Sequence, residues 1–111
     1  MAGSTPECDW KYMRTIHDEL LECLCKRINR QSAAILEQED CSQHEQYLTL
    51  YRHIQDSDQI IAECFNDLKR SNLIMKLAAL QQHGILTPEH LGMLSLETEQ
   101  KLIALKELQE K

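Results

Sequence analysis

Valine is missing from this chain altogether, and from Glu7 to His83 there is neither glycine nor proline. Strands favour β-branched residues and their turns favour Gly, Pro, Asn and Asp, so a sheet is hard to build here and an all-α fold remains. No apolar run approaches the roughly 20 residues of a membrane span. Residues 1–6 lack the basic start and apolar core of a secretory signal, so a cytoplasmic protein without a membrane partner is expected. Glycine stands only at 3, 84 and 92, which leaves no phosphate-cradling loop and no Gly-x-Ser-x-Gly elbow.

What is present is ordinary for a globular protein: 111 residues, 42% apolar and 27% charged. A chain of this length buries roughly 65% of its unfolded surface as one domain, 1–111, with 1–5 and 110–111 expected to fray. The formal charge of -6 repels phosphate, so nucleic acid is not the expected partner. Five cysteines, an odd number at irregular spacing, read as reduced and structural.

The core helix of the chain falls in 58–84, where Ile61, Phe65 and Leu68, then Leu73, Leu77 and Leu80, recur three and four apart and Gly84 follows the last periodic residue. Ahead of it, Thr5-Pro6-Glu7 announces a first helix by hydroxyl cap, proline and carboxylate. Trp10, Met13, Ile16, Leu20, Leu24, Ile28 and Ile35 keep its spacing to about 37. At about 1.5 Å per residue it is a rod near 45 Å, longer than the roughly 34 Å diameter of a compact globule of this size. Either it breaks near 29–32, or the molecule is an elongated bundle whose overhanging stripe needs a second chain.

Ser42-Gln43-His44-Glu45 matches the S-x-x-E capping box and opens a second helix. Its stripe of Tyr47, Leu48, Tyr51 and Ile54 leads through Asp56-Ser57-Asp58 into the core segment, which predicts one kinked helix over 43–83. A further interruption is expected near Ser71-Asn72, where the apolar frame shifts by one. Thr87-Pro88-Glu89, with Leu86 and Leu91 placed as a hydrophobic staple, starts a short helix over 88–94. Ser95 caps a last one over 96–109, with Leu102, Leu105 and Leu108 on one side.

No catalytic, cofactor or metal site emerges from the motifs. Paired Glu-x-x-His, the signature of carboxylate-bridged metals in bundles, is absent, as is His-x-x-x-His. Cys41-x-x-His44 has a spacing zinc uses, with Cys23, Cys25 or Cys64 to complete a site. Cys23 and Cys25, however, lie about 200° apart around a helix and do not grip one ion together. Lys26, Arg27 and Arg30 form the one basic concentration, read as a solvated face that pairs with Glu37, Glu39 and Asp40 of a partner chain.

Leu50-Tyr51-Arg52 resembles the tripeptide that names the LYR family of small helical mitochondrial assembly factors. There the motif lies near the N-terminus of a basic protein; here it lies mid-chain in an acidic one. Residues 80–94, with Gly84-Ile85-Leu86-Thr87-Pro88-Glu89, resemble a hairpin of death-fold recruitment domains, a string that any capped helix-loop-helix requires. Neither likeness assigns a family.

The sequence thus predicts an antiparallel helical bundle with two long helices, 6–37 and 43–83, and two shorter ones, 88–94 and 96–109. The expected function is that of a non-enzymatic cytosolic interaction or regulatory module acting through a helical surface, as a homodimer and with another protein. Trp10, Met13, Leu20 and Leu24 are the expected residues between helices or across chains. The alternative is a metal- or thiol-dependent sensor using Cys41, His44 and another cysteine.

Overall fold

The computed structural model describes residues 6–109, so Thr5 of the expected first cap and the termini expected to fray lie outside the described residues. Among these residues every regular element is helical: α1 (Glu7–Glu37), α2 (Gln43–Phe65), a 3-10 turn (Arg70–Asn72), α3 (Leu73–Gln82), α4 (Pro88–Gly92) and α5 (Leu96–Gln109). The all-α class expected from the missing valine and from the absence of glycine and proline between Glu7 and His83 is therefore what forms.

The first helix does not break near 29–32. It runs unbroken for 31 residues and gives the molecule extents of 55 × 33 × 24 Å. Its radius of gyration of 16.8 Å exceeds the roughly 13 Å of a compact chain this long. Met13, Ile16, Leu20, Leu24 and Ile28 form the buried stripe that its three-and-four spacing demands.

Beyond a loop over 38–42, α2 returns along α1. Gln46 meets Ile35 and Leu36, His53 meets Ile28, and Phe65 meets His17 edge-on at 5.3 Å, so partner numbers rise on one helix as they fall on the other. The Ser42 side chain accepts from the Glu45 amide, as its capping box requires. The helix passes through 56–58 without interruption, with Ser57 buried.

The single helix expected over 43–83 needs correction. It stops at Phe65, and Asp67 enters left-handed backbone at φ 57. Asn72 then ties the turn together: its side-chain nitrogen donates to the Asp67 carbonyl at 2.8 Å, and its oxygen accepts from the Lys69 amide at 2.8 Å. The break frees α3 to turn onto α2 and α5, which a straight continuation could not reach. The expected helix over 88–94 is also shorter and ends at Gly92, with the amides of Met93 and Leu94 bonding back to His90 and Leu91.

The core gathers where α1 meets the C-terminal half. Cys64, Phe65, Leu73, Leu77, Leu80, Ile85, Leu86, Leu94 and Leu102 close over the α1 stripe. Gly84, at φ +71, supplies the left-handed residue after α3, the one place among the described residues where glycine's freedom is needed.

Helix ends are satisfied by side chains from other helices. The Gln46 amide nitrogen donates to three carbonyls at the end of α1, Ile35, Leu36 and Gln38, at 2.8–3.3 Å. Lys76 of α3 donates to the Ala62 and Glu63 carbonyls that close α2. Arg27 of α1 reaches the His83 and Gly84 carbonyls past α3, at 2.6 and 3.1 Å. Leu36, Gln38, Glu63, His83 and Gly84 are carbonyls of the kind that a helix end leaves over, while Ile35 and Ala62 also accept from the Gln38 and Asn66 amides.

Candidate interaction surface

Between Asn29 and Glu63 only Gln46 and Ser57 are buried, and both are polar. The outer ends of α1 and α2 thus form a two-helix arm outside the core. Ile35, Leu48 and Leu50 are half-buried, but four large apolar side chains of the arm stand in solvent: Leu36 is 54% exposed, Tyr47 62%, Tyr51 53% and Ile54 44%. Tyr47 and Tyr51, one turn apart, stack at 6.4 Å.

These residues share a side. On α1, Leu36 lies eight positions past Ile28, about 80° around from the line facing α2. On α2, Tyr47 and Ile54 lie one and eight positions past Gln46, about 80–100° around in the same sense. On helices running in opposite directions, equal turns from the facing line point to the same side of the pair. Arg27, about 260° around from Ile28, points to the other side, where it meets the chain after α3. The rest of the protein therefore covers one side of α1 and α2 and leaves the aromatic side open.

A second apolar feature is a groove of about 420 Å³ between α3 and α5, lined by Ile74, Met75, Ala104, Leu105 and Leu108 among others. On α5, Leu102 is buried and Leu105 half-buried, while Leu108 is exposed, so the expected stripe leaves the core towards its end.

The four residues expected between helices or across chains fall within the chain's own core. Met13, Leu20 and Leu24 are 0–2% exposed and have no surface left to offer, while Trp10 is half-buried against the same cluster. Their periodicity marked a buried face, but periodicity alone does not say which chain covers it. The surface that remains open, Tyr47, Tyr51 and Ile54, was also visible as a stripe in the sequence; its exposure depends on α2 ending at Phe65 and was not.

Chemical candidates are sparse. Among the described residues no group of three or more His, Cys, Asp or Glu side chains is placed to hold a metal ion. Cys41 is half-buried and His44 exposed, without the further ligands that a structural zinc takes. All five cysteines are free thiols. Burial among apolar neighbours, with Glu63 nearby, pushes the Cys64 thiol up to about 11, the setting of an inert core cysteine. Burial, reinforced by Glu19 and Glu89, likewise raises Tyr12.

Among the described residues Asp9 is the one deeply buried carboxylate, 1% exposed. Burial works to raise its pKa, but donors from the Thr98 hydroxyl, the Ser95 hydroxyl and the Ser95 amide outweigh it and hold the carboxyl below its ordinary value. All its acceptors are engaged in closing α5 onto α1, so it serves packing rather than proton transfer.

Three histidines pair with acids or cap helices, while His53 meets the Ile28 carbonyl. His83 lies 3.1 Å from Glu63, His17 lies 3.0 Å from Asp18, and His90 accepts from the Thr87 amide while its own amide donates to the Thr87 hydroxyl. The Thr87 hydroxyl, 2.9 Å from the His90 Nδ1, is engaged in that same cap. Comparison with family models, with curated proteins and with solved structures found no match.

Proposed function

We propose that this chain is a non-enzymatic, cytosolic protein-protein interaction or regulatory module, an antiparallel helical bundle that acts through the open face of the α1–α2 arm and associates with itself. One observation carries this reading: an arm whose only buried side chains are polar while Leu36, Tyr47, Tyr51 and Ile54 stand in water. Two-helix arms gain little from burial within one chain, and aromatic residues on such a face are the usual anchors of protein contacts. Apolar faces of helices are recognised by other helices or by grooves and need no further chemistry.

Tyr51→Lys combined with Ile54→Lys tests the reading. Both sites are exposed, so the doubly substituted chain keeps the helical content and melting temperature of the native chain. It is expected to lose self-association, measured as mass in solution, and to lose proteins that the native chain captures from extracts. Unchanged mass together with unchanged capture would refute the arm as an interaction face.

A further inference from the structure

The arm carries opposite charges at its two ends. Lys26 and Arg30 are exposed on α1, and Glu37, Glu39 and Asp40 are exposed at the tip, about 15 Å further along the rod. Among the described residues, none of these five forms an ion pair within the chain. Charges of opposite sign separated along one rod meet when a copy is laid beside it in the reverse direction, and a two-fold axis makes that contact twice.

We propose that a second copy of this chain covers the open face of the arm, reversed about a two-fold axis near residues 33–34. Lys26 and Arg30 of each copy then lie level with Glu37 and the acidic tip of the other. The axis passes the Tyr47 and Tyr51 stack, so the aromatic side chains of both copies fill the centre and the charges form the rim. This inference rests on the arm being the interaction face and adds what occupies it.

The geometry permits the pairing. The bodies of the two copies lie on opposite outer sides of the paired arms, because Arg27 and α3 sit on the side away from Tyr47 and Ile54. Two helices, each about 10 Å wide and about 21 Å long from the level of Lys26 to the tip, offer a footprint of roughly 400 Å². Side-chain relief raises the accessible area buried above that footprint, towards the roughly 800 Å² that each partner of a standard complex contributes. The product is a four-helix layer that covers the apolar side chains the single arm leaves wet.

Charge reversal in two complementary variants tests this. One carries Lys26→Glu and Arg30→Glu, the other Glu37→Lys and Glu39→Lys; all four sites are exposed and the helical melt of each variant serves as the folding control. Measured by sedimentation at low salt, each variant alone is expected to self-associate about tenfold or more weakly than the native chain. An equimolar mixture is expected to recover dimer, since each like-charge contact becomes an attraction. Tyr51→Lys is expected to remove the dimer in every background. A native chain that stays monomeric to about 1 mM overturns the proposal. So does a dimer that ignores both charge variants; in that case the arm remains an interaction face only if Tyr51→Lys still dissociates it.

Discussion

Asp9, in the first turn of α1, accepts hydrogen bonds from Thr98 in the first turn of α5, 89 positions away, and from both the amide and hydroxyl of Ser95. Ser95 in turn caps α5 by accepting from the Thr98 amide. A capping box ordinarily draws its second acceptor from the third residue of its own helix; here a carboxylate from another helix takes that place. Asp9→Ala leaves these donors buried and unpaired, with an expected loss of roughly 2–3 kcal/mol in chemical denaturation, and Asp9→Asn loses less because it keeps one oxygen.

The same carboxylate sets a pH dependence. Its folded pKa lies below the ordinary value of 3.8, so the native state binds fewer protons than the unfolded chain as pH falls through that range. Its contribution is complete above the unfolded value and is lost as pH drops through the folded one. The stability gap between the native chain and Asp9→Asn is therefore expected to be constant above about pH 5 and to shrink below about pH 4. Paired denaturation curves across that range check it; a gap that widens on acidification contradicts the role given to Asp9.

Arg27 holds the end of α3 with a fork, its two terminal nitrogens on consecutive carbonyls of His83 and Gly84. Arg27→Ala is expected to cost about 1–3 kcal/mol, and Arg27→Lys to recover only part, because a single ammonium does not reproduce the planar pair. Gly84→Ala is expected to cost about 1–2 kcal/mol through left-handed backbone, with space around the added carbon adequate. Thermal melts of the three variants give the order.

Local signals were legible in the sequence and non-local ones were not. Ser42 with Glu45, and Thr87 with Pro88, announced their helices because a cap is made within four residues. The stripe Met13 to Ile28 was legible as a core face for the same reason. The end of α2 was harder to read, since 58–84 keeps helical spacing with no glycine or proline before Gly84. The interruption expected near Ser71-Asn72 falls where the 3-10 turn gives way to α3, while the earlier stop at Phe65 is marked only by Asn66-Asp67, residue types that tolerate left-handed backbone. Gln46, Lys76, Arg27 and Asp9 read as ordinary polar residues, because the helix ends they satisfy lie 8 to 89 positions away.

The turn after α2 depends on Asn72 more than on any apolar residue. Asn72→Ala removes both bonds that fold Lys69 and Asp67 together, with an expected cost of about 1–2 kcal/mol. Asp67→Gly relieves the left-handed site and is expected to be neutral or slightly stabilising, since φ 57 costs an L side chain roughly what glycine's extra freedom costs the fold. If the helix instead continues through this turn in solution, Asn72→Ala raises helicity and leaves stability unchanged, which circular dichroism would register at once.

Thiol counting provides a check on the core and on the redox reading together. Cys8 and Cys23 are exposed, Cys25 and Cys41 half-buried, and Cys64 fully enclosed beside Phe65 and the α3 leucines. A small thiol reagent at pH 8 is expected to modify Cys8 and Cys23 fastest and to reach Cys64 only as the protein unfolds, with a midpoint that tracks the loss of helicity. Because the Cys64 pKa is raised to about 11 from 9.0, the unfolded chain loses this proton first as pH rises. The stabilising contribution of the neutral thiol is complete below the unfolded value and falls away through the folded one, so native stability is expected to decline above about pH 9 in part through this residue. Cys64→Ala removes that part of the alkaline slope while costing stability at neutral pH through the small cavity left behind. Rapid modification of all five thiols in the folded state would show that the junction of α2 and α3 is open, and with it the packing that leaves the arm uncovered.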